Sequence, residues 1–258
     1  MSVLLVVSAL IVVLAIVYQK WLYKYIGSDN RKKYFAELLK DFPKLYNPKT
    51  KPMKQKLFES LIKTKEEICV LEIGIGSGGN FDFYPESKCR LIANEPNQYF
   101  HQILSDNVAK YPQIILSRIS SSSADNLQDI GDATIDAVIS TVVLCSVPNV
   151  ANTLDAILRV LKPGGKFYYM EHELDPKFTW WRKLQEMIDF FGIWTFLFDG
   201  CHASRTTGNL IKDSGLLSVD QDRFYLNPVG FWGLYIIKPH VYGVAMKTAI
   251  KSEKSLDL

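Results

Sequence analysis

The sequence predicts an α/β fold, an open and mostly parallel sheet with helices on both faces. Three observations carry that prediction. Short apolar runs of strand length alternate with stretches of helical spacing from Ile68 onward. The first of these strands, Ile68–Ile73, feeds a glycine turn within Val70–Asn80, VLEIGIGSGGN. Acidic residues stand at strand ends, at Glu72, Glu95 and Glu171, and open sheets bind ligands at those ends.

The turn satisfies two spacings. Gly74, Gly76 and Gly79 fit the dinucleotide pattern G-x-G-x-x-G, and Glu72 with Gly74, Gly76 and Gly78 fits E-x-G-x-G-x-G. A carboxylate beside the turn repels a pyrophosphate but suits a ligand bearing an ammonium and a sulfonium.

The 258 residues hold one α/β domain with a full core and a small appendage. With 48% hydrophobic and 22% charged residues, the chain is not disordered. A net charge of +3 gives no reason to expect a nucleic-acid partner. The four cysteines, Cys69, Cys89, Cys145 and Cys201, form no C-x-x-C pair, so neither a metal site nor a disulfide framework is expected.

Val3–Val17 is apolar except for Ser8, near the lower length limit for a membrane span. A cleaved signal, a signal anchor and a helix dipping into one leaflet all fit its length. Lys20, Trp21, Tyr23, Lys24 and Tyr25 follow it as an interfacial belt, which favours an uncleaved anchor over residues 1–25 with the rest of the chain in the cytosol. Residues 26–66 read as a basic helical segment that either rests on anionic headgroups or presents a solvated face. There Phe35, Leu38, Leu39 and Phe42 mark a helix stopped by Pro43, and Leu57, Phe58, Leu61 and Ile62 mark a second.

Residues 67–247 form the main domain. After the glycine turn, Pro85 truncates the expected helix, and Arg90–Glu95 is the second strand. Gln98–Lys110 is helical, Ile114–Arg118 is a third strand, and Ile135–Ser140 a fourth, with TVVLCSV from Thr141 at its carboxyl end. A helix over Asn152–Val160 leads to the tight turn Lys162–Gly165 and a fifth strand, Lys166–Glu171. The aromatic stretch Asp175–Phe198 lines an apolar pocket, lies at a membrane interface, or packs as ordinary core. Thr206–Ser214 is a helix, Leu216–Phe224 and Val241–Lys247 are the last strands, and residues 248–258 are a polar tail.

Taken together, these stretches resemble the class I S-adenosylmethionine (SAM)-dependent methyltransferases. Glu72–Gly78 resembles their motif I, Glu95 matches their ribose-binding acid, Ser123–Leu127 resembles their adenine loop, and LKPGG at Leu161–Gly165 is typical of them. Ser123 departs from the acid often found in that loop. The segments LEIGIGSGGNFDFYP, STVVLCSVPN, VLKPGGKFYYMEH, FDGC and KPHVYGVAMK resemble the methyltransferase-like 7 family more closely. The resemblance implies a Rossmann-like, seven-stranded sheet with its last strand antiparallel, SAM as cofactor, and a small lipophilic thiol as methyl acceptor, either an alkyl thiol or hydrogen sulfide. It also implies an enzyme of the endoplasmic reticulum membrane and lipid droplets, its anchor in the lipid and its catalytic domain facing the cytosol. The cofactor residues implied are Glu72, Gly74, Gly76, Gly78, Asn80, Glu95, Ser123, Ala124 and Thr141. His172, at a strand end, is the candidate base; His202, beside Cys201, is its rival, and Cys145 reads as a packed, inert thiol. An O- or N-methyltransferase of a small lipophilic molecule, a non-catalytic SAM-fold protein and a nicotinamide oxidoreductase are the competing classes, the last disfavoured by Glu72 and LKPGG.

Overall fold

The computed structural model describes residues 18, 28–177, 179–227 and 233–248. The apolar run at 3–17 and the tail from 249 onward lie outside the described residues. Among the described residues no helix is long and apolar enough to cross a membrane.

Seven strands form one sheet: β1 (Ile68–Ile73), β2 (Cys89–Asn94), β3 (Ile114–Ser120), β4 (Ile135–Thr141), β5 (Leu161–His172), β6 (Leu217–Tyr225) and β7 (Pro239–Met246). Their order is β3-β2-β1-β4-β5-β7-β6. β7 runs antiparallel to both neighbours, β5 and β6, and the pairings among β1–β5 are parallel. The central strands are buried on both faces: Val70, Leu71, Ile73, Val138 and Ile139 are inaccessible to solvent. That two-sided burial is why they read as unbroken apolar runs. The order turns back between β1 and β4, and ligands of such sheets bind at this switch point.

The strand boundaries follow the sequence to within a residue or two, with two informative differences. β2 ends at Asn94, so Glu95 is the first residue beyond the strand, free to point across the crevice. The turn expected at Lys162–Gly165 lies inside β5 as a bulge. Ile135 pairs with Leu161 and Ala137 with Lys166, so the residues between loop out of the ladder, with Gly164 at φ +79°.

Ahead of the sheet, α1 (Ser28–Leu39) and α2 (Phe42–Ile62) depart from the sequence reading. Pro43 opens α2 rather than merely closing α1, because a proline in the first turn has no missing bond to regret and its φ is preset. The helix then runs through Pro48 and Pro52, each of which removes a backbone bond. Tertiary packing outweighs that loss, since Tyr46, Leu57, Phe58 and Leu61 are all buried against the sheet. Beyond β4 come α3's successors in order: with α3 at His101–Val108, the later helices are α4 (Val150–Val160), α5 (Trp180–Phe190), α6 (Ile193–Leu197), α7 (Thr207–Lys212) and α8 (Gly233–Ile236). Between β1 and β2 only a single 3-10 turn, Phe81–Phe83, survives of the usual helix.

The antiparallel edge is locked by one side chain. Tyr169 of β5 pairs with Gly243 of β7, which pairs with Gln221 of β6, and the Tyr169 hydroxyl donates to Gln221 Oε1 at 2.9 Å. A Cβ on Gly243 would stand 2.7 Å from that hydroxyl and 2.3 Å from the Asp220 carbonyl. Gly243→Ala should therefore lower unfolding stability by about 1–3 kcal/mol in urea titration, with the fold retained.

Candidate functional site

A cavity of about 390 Å³ opens at the carboxyl ends of β1, β2, β4 and β5, within the size range of small-molecule sites. The turn after β1 forms part of its wall. Gly74 and Gly76 hold φ values of +55° and +54°, which a side chain rarely adopts. They are glycine for different reasons. A Cβ on Gly74 would meet Val143 at 2.5 Å, whereas one on Gly76 meets only Phe100 at 3.9 Å. Gly76 thus leaves its backbone open to a ligand. Gly78 is not among the residues that line the cavity; its Cβ would strike the Phe81 ring at 2.2 Å, so it shapes the back of the turn.

Glu72 lies under this turn, almost wholly buried. Asn80 Nδ2 donates to Glu72 Oε1 at 2.7 Å, and the Tyr84 hydroxyl donates to Oε2 at 2.5 Å. Asn80 also donates to Thr141 Oγ1 at 3.0 Å and accepts from Lys54 Nζ at 2.6 Å. One amide therefore ties the first strand, the fourth strand and α2 together. Burial raises the Glu72 carboxyl to about 7 against the pull of Tyr84, Asn80 and Lys54. Burial likewise lowers the Lys54 ammonium to about 7, although Glu72 and Asp82 favour its charge.

Lys54 corrects the sequence reading of residues 26–66. It lies on neither a headgroup-facing nor a solvated face. It is 1% exposed, between the rings of Tyr46 and Phe83 at 5.5 Å from each centroid. The signal was present: Lys54 shares the helical face of Thr50, Leu57, Phe58 and Leu61, all buried. Lys32, Phe35 and Leu39 of α1 and Phe42, Tyr46, Asn47 and Lys54 of α2 line the cavity, so the basic segment is a wall of the site.

Glu95 spans the crevice from the β2 side. Its Oε2 accepts from Gly76 N at 2.8 Å and its Oε1 from Asn97 N at 2.9 Å. Each oxygen keeps a lone pair for a further donor. Burial raises this carboxyl too, opposed by the Asn97 and Gly76 amides. Ser123, Ala124 and Thr141 line the cavity.

The loop after β4 is held by Glu171. Ser140 Oγ donates to Glu171 Oε1 at 2.5 Å, and the Val143 and Leu144 amides donate to Oε2 at 2.9 and 3.1 Å. Between them Val142 sits at φ +57°, a strained conformation for a β-branched residue that these bonds over-determine. The clamp seats Val143 against Gly74 and brings Cys145 into the cavity wall.

Next to Cys145 stand two further groups. His172, at the end of β5, is fully buried, with Nε2 3.2 Å from Cys201 Sγ. Trp194 Nε1 donates to the same sulfur at 3.2 Å. The donor atoms of Cys145, His172 and Cys201 all lie within 4.8 Å of one another. A hydrogen bond to Cys201, together with burial, pushes the Cys145 thiol well above its ordinary range. His202 lies outside the cavity wall, its ring Nδ1 3.8 Å from Asp189 Oδ2, so it is badly placed for the role of base. Sequence reasoning singled out His172 but not Cys201 or Trp194, which approach it only through the fold. Of the aromatic stretch, Trp194 and Phe198 line the cavity while Trp180 and Phe190 are exposed.

A methyltransferase-domain family model matches residues 71–169. Human thiol S-methyltransferase TMT1A is 33% identical over 219 residues, which cover 84% of this chain and 87% of that protein. Rat thiol S-methyltransferase TMT1B is 31% identical over 227 residues, again 84% of this chain and 87% of the relative. The solved geranyl diphosphate C-methyltransferase of Streptomyces coelicolor, in complex with Mg2+, geranyl-S-thiolodiphosphate and S-adenosyl-L-homocysteine, shares the fold at a TM-score of 0.54 and 12% identity, over 77% of this chain and 76% of that one.

The sheet order, the glycine turn and these matches define a class I SAM-dependent methyltransferase. The chain belongs to the family that contains TMT1A and TMT1B, and its cofactor is SAM. The cavity fits that cofactor. It offers an open glycine backbone at Gly76 and two buried carboxylates, Glu72 and Glu95, for a ligand with positive charge and hydroxyl groups.

The pH dependence of binding has a defined sign. A cation favours Glu72 ionised and Lys54 neutral, and both states are promoted as pH rises through about 7. SAM affinity should therefore increase between about pH 5.5 and 7.5, with proton release on binding. Calorimetry in two buffers of different ionisation enthalpy reads that proton, and Glu72→Gln should flatten the profile.

Proposed function

We propose that this chain transfers the methyl group of SAM to a small lipophilic thiol, working at a membrane surface. The observation that carries the reading is a cavity with two chemically distinct ends. Around the glycine turn it is carboxylate-lined; around Cys145, Phe198 and Trp194 it is apolar and sulfur-rich.

At the first end, Glu95 receives the ribose hydroxyls on its remaining lone pairs. Glu72, through its position beneath Gly74 and Gly76, attracts the amino-acid tail. Asn80 and Tyr84 hold the Glu72 carboxylate in place, Thr141 braces Asn80, and Ser123 and Ala124 face the adenine. SAM, when bound, supplies a methyl group already activated by a sulfonium. What remains for the protein is to align the acceptor and exclude water. At the second end, the apolar wall selects a lipophilic acceptor. His172 is the group placed to orient the thiol or to take its proton. A thiol ionises readily, with a pKa of about 8.5 when free, so modest help suffices.

The relatives named thiol S-methyltransferase support sulfur as the nucleophile. An O- or N-acceptor uses the same fold, and no observation in the cavity favours it. Support for the membrane surface comes from two sources. One is the apolar run at 3–17 with its aromatic and basic belt. The other is the exposed set Tyr34, Leu38, Trp180, Met187 and Phe190 on α1 and α5, and Arg31 of α1 stands 5.9 Å from the Phe196 ring of α6. On this reading the domain faces the cytosol from the endoplasmic reticulum membrane and lipid droplets.

Methyl transfer from labelled SAM to paired thiols and alcohols, with membranes containing the protein, tests the acceptor. Turnover is expected with alkyl thiols and not with their alcohol analogues; the reverse preference would overturn the reading. Glu95→Ala should weaken SAM binding at least about tenfold, in line with loss of charge-assisted hydrogen bonds. His172→Ala should lower turnover more than SAM affinity.

A further inference from the structure

Three side chains that the sequence keeps far apart meet in the cavity wall. Cys145 comes from the loop after β4, His172 from the end of β5, and Cys201 from the turn after α6. They are 1%, 0% and 7% exposed. We propose that Cys145, His172 and Cys201 bind a soft divalent metal ion, zinc in the first instance, with its fourth coordination position open to the cavity.

The donor set is the first argument. Two sulfurs and one imidazole are one of the three-residue ligand sets that catalytic zinc takes, and thiolates select against hard cations. Spacing is the second. Metal–sulfur and metal–nitrogen bonds of about 2.0–2.3 Å give tetrahedron edges of about 3.5–3.8 Å. The donors here lie within 4.8 Å of one another, and His172 Nε2 is 3.2 Å from Cys201 Sγ. A small closing movement would seat an ion. The third is the surroundings. Trp194 Nε1–H points at Cys201 Sγ, the arrangement that favours a thiolate over a thiol. Two thiolates also offset the ion's charge, so a neutral cluster results in a site poor in water.

All three residues line the same cavity as Glu72 and Glu95. A ligand in the fourth position therefore faces the space where the methyl donor's sulfonium would lie. An acceptor thiol entering there would bind as its thiolate, its S–H proton passing to water at the cavity mouth. That sulfur's electron pair would then form the new S–CH3 bond while the sulfonium C–S bond breaks and its pair stays on the donor, which leaves as neutral S-adenosylhomocysteine. His172 then holds the metal and is not the base. This assignment of the fourth ligand rests on the proposed thiol methylation; the three-residue metal site does not.

The experiment is metal analysis of the full chain, purified without chelator. Inductively coupled plasma mass spectrometry should find about one zinc per chain. Replacement by cobalt(II) should give a thiolate-to-cobalt charge-transfer band in the near ultraviolet. Cys145→Ser and Cys201→Ser should each lose most of the metal and the band while still binding SAM, which shows that they fold. Cys69→Ser, at the opposite end of β1, should keep both. Wild-type protein without zinc that gives no cobalt band would overturn the inference, as would recovery of Cys145 and Cys201 joined in a disulfide from reduced preparations. A chain stripped of its metal that methylates thiols at full rate would overturn the fourth-ligand assignment and leave both the three-residue site and the proposed function intact. A zinc-loaded chain that methylates no thiol would sink the proposed function and leave the metal site standing.

Discussion

One buried carboxylate organises this molecule. Glu72 sits under the first glycine turn, and leaving such a charge unpaired would cost several kcal/mol. Its partners come from three directions: Tyr84 from the segment after the turn, Asn80 from the turn's end, and through Asn80 both Lys54 of α2 and Thr141 of β4. The positions of α2, of the turn and of the switch between β1 and β4 are thus consequences of satisfying a single side chain. The arrangement is polarised. Lys54 stands behind Asn80, so the support of the carboxylate comes from behind while the Gly76 backbone leaves room in front.

A second carboxylate does the same for the other half of the cavity. Glu171 accepts from Ser140, Val143 and Leu144 and thereby holds Val142 in the left-handed region. Strain of this kind persists only where surrounding bonds over-determine it. The result is the approach of Val143 to Gly74 and of Cys145 to His172 and Cys201. The two acids share a logic, since each is raised to about 7 by burial and each fixes a loop that lines the site. They differ in that Glu72 lines the cavity and Glu171 is spent on Ser140 and the backbone of the β4 loop.

The sheet and the cofactor end of the site were legible because they are local. Ile68–Ile73, the glycine turn and Glu95 lie within a few dozen residues of one another, and the strands announce themselves as apolar runs. The acceptor end was not legible. Cys145, His172 and Cys201 are dispersed, and no spacing rule joins residues that meet only through a β5 strand end and a turn beyond α6. His202 was read as the rival of His172, yet it lies outside the cavity wall that its neighbour Cys201 lines. The prolines at 48 and 52 concealed α2, because propensity argues against a helix that tertiary packing sustains. Lys54 was read with its charged neighbours, though its helical phase places it inside. The anchor proposed for residues 1–25 rests on the sequence alone, since all of that segment but Tyr18 lies outside the described residues.

The central claim is that the carboxylate-lined turn receives SAM in one orientation, with its reactive sulfur toward the cysteines. A crystal structure of the chain with S-adenosylhomocysteine tests this most directly. The account requires the ribose hydroxyls on Glu95, the amino-acid tail over Gly74 and Gly76 near Glu72, and the thioether sulfur on the side of Cys145 and Cys201. A ligand bound elsewhere, or in this cavity with its tail away from Glu72, would contradict it.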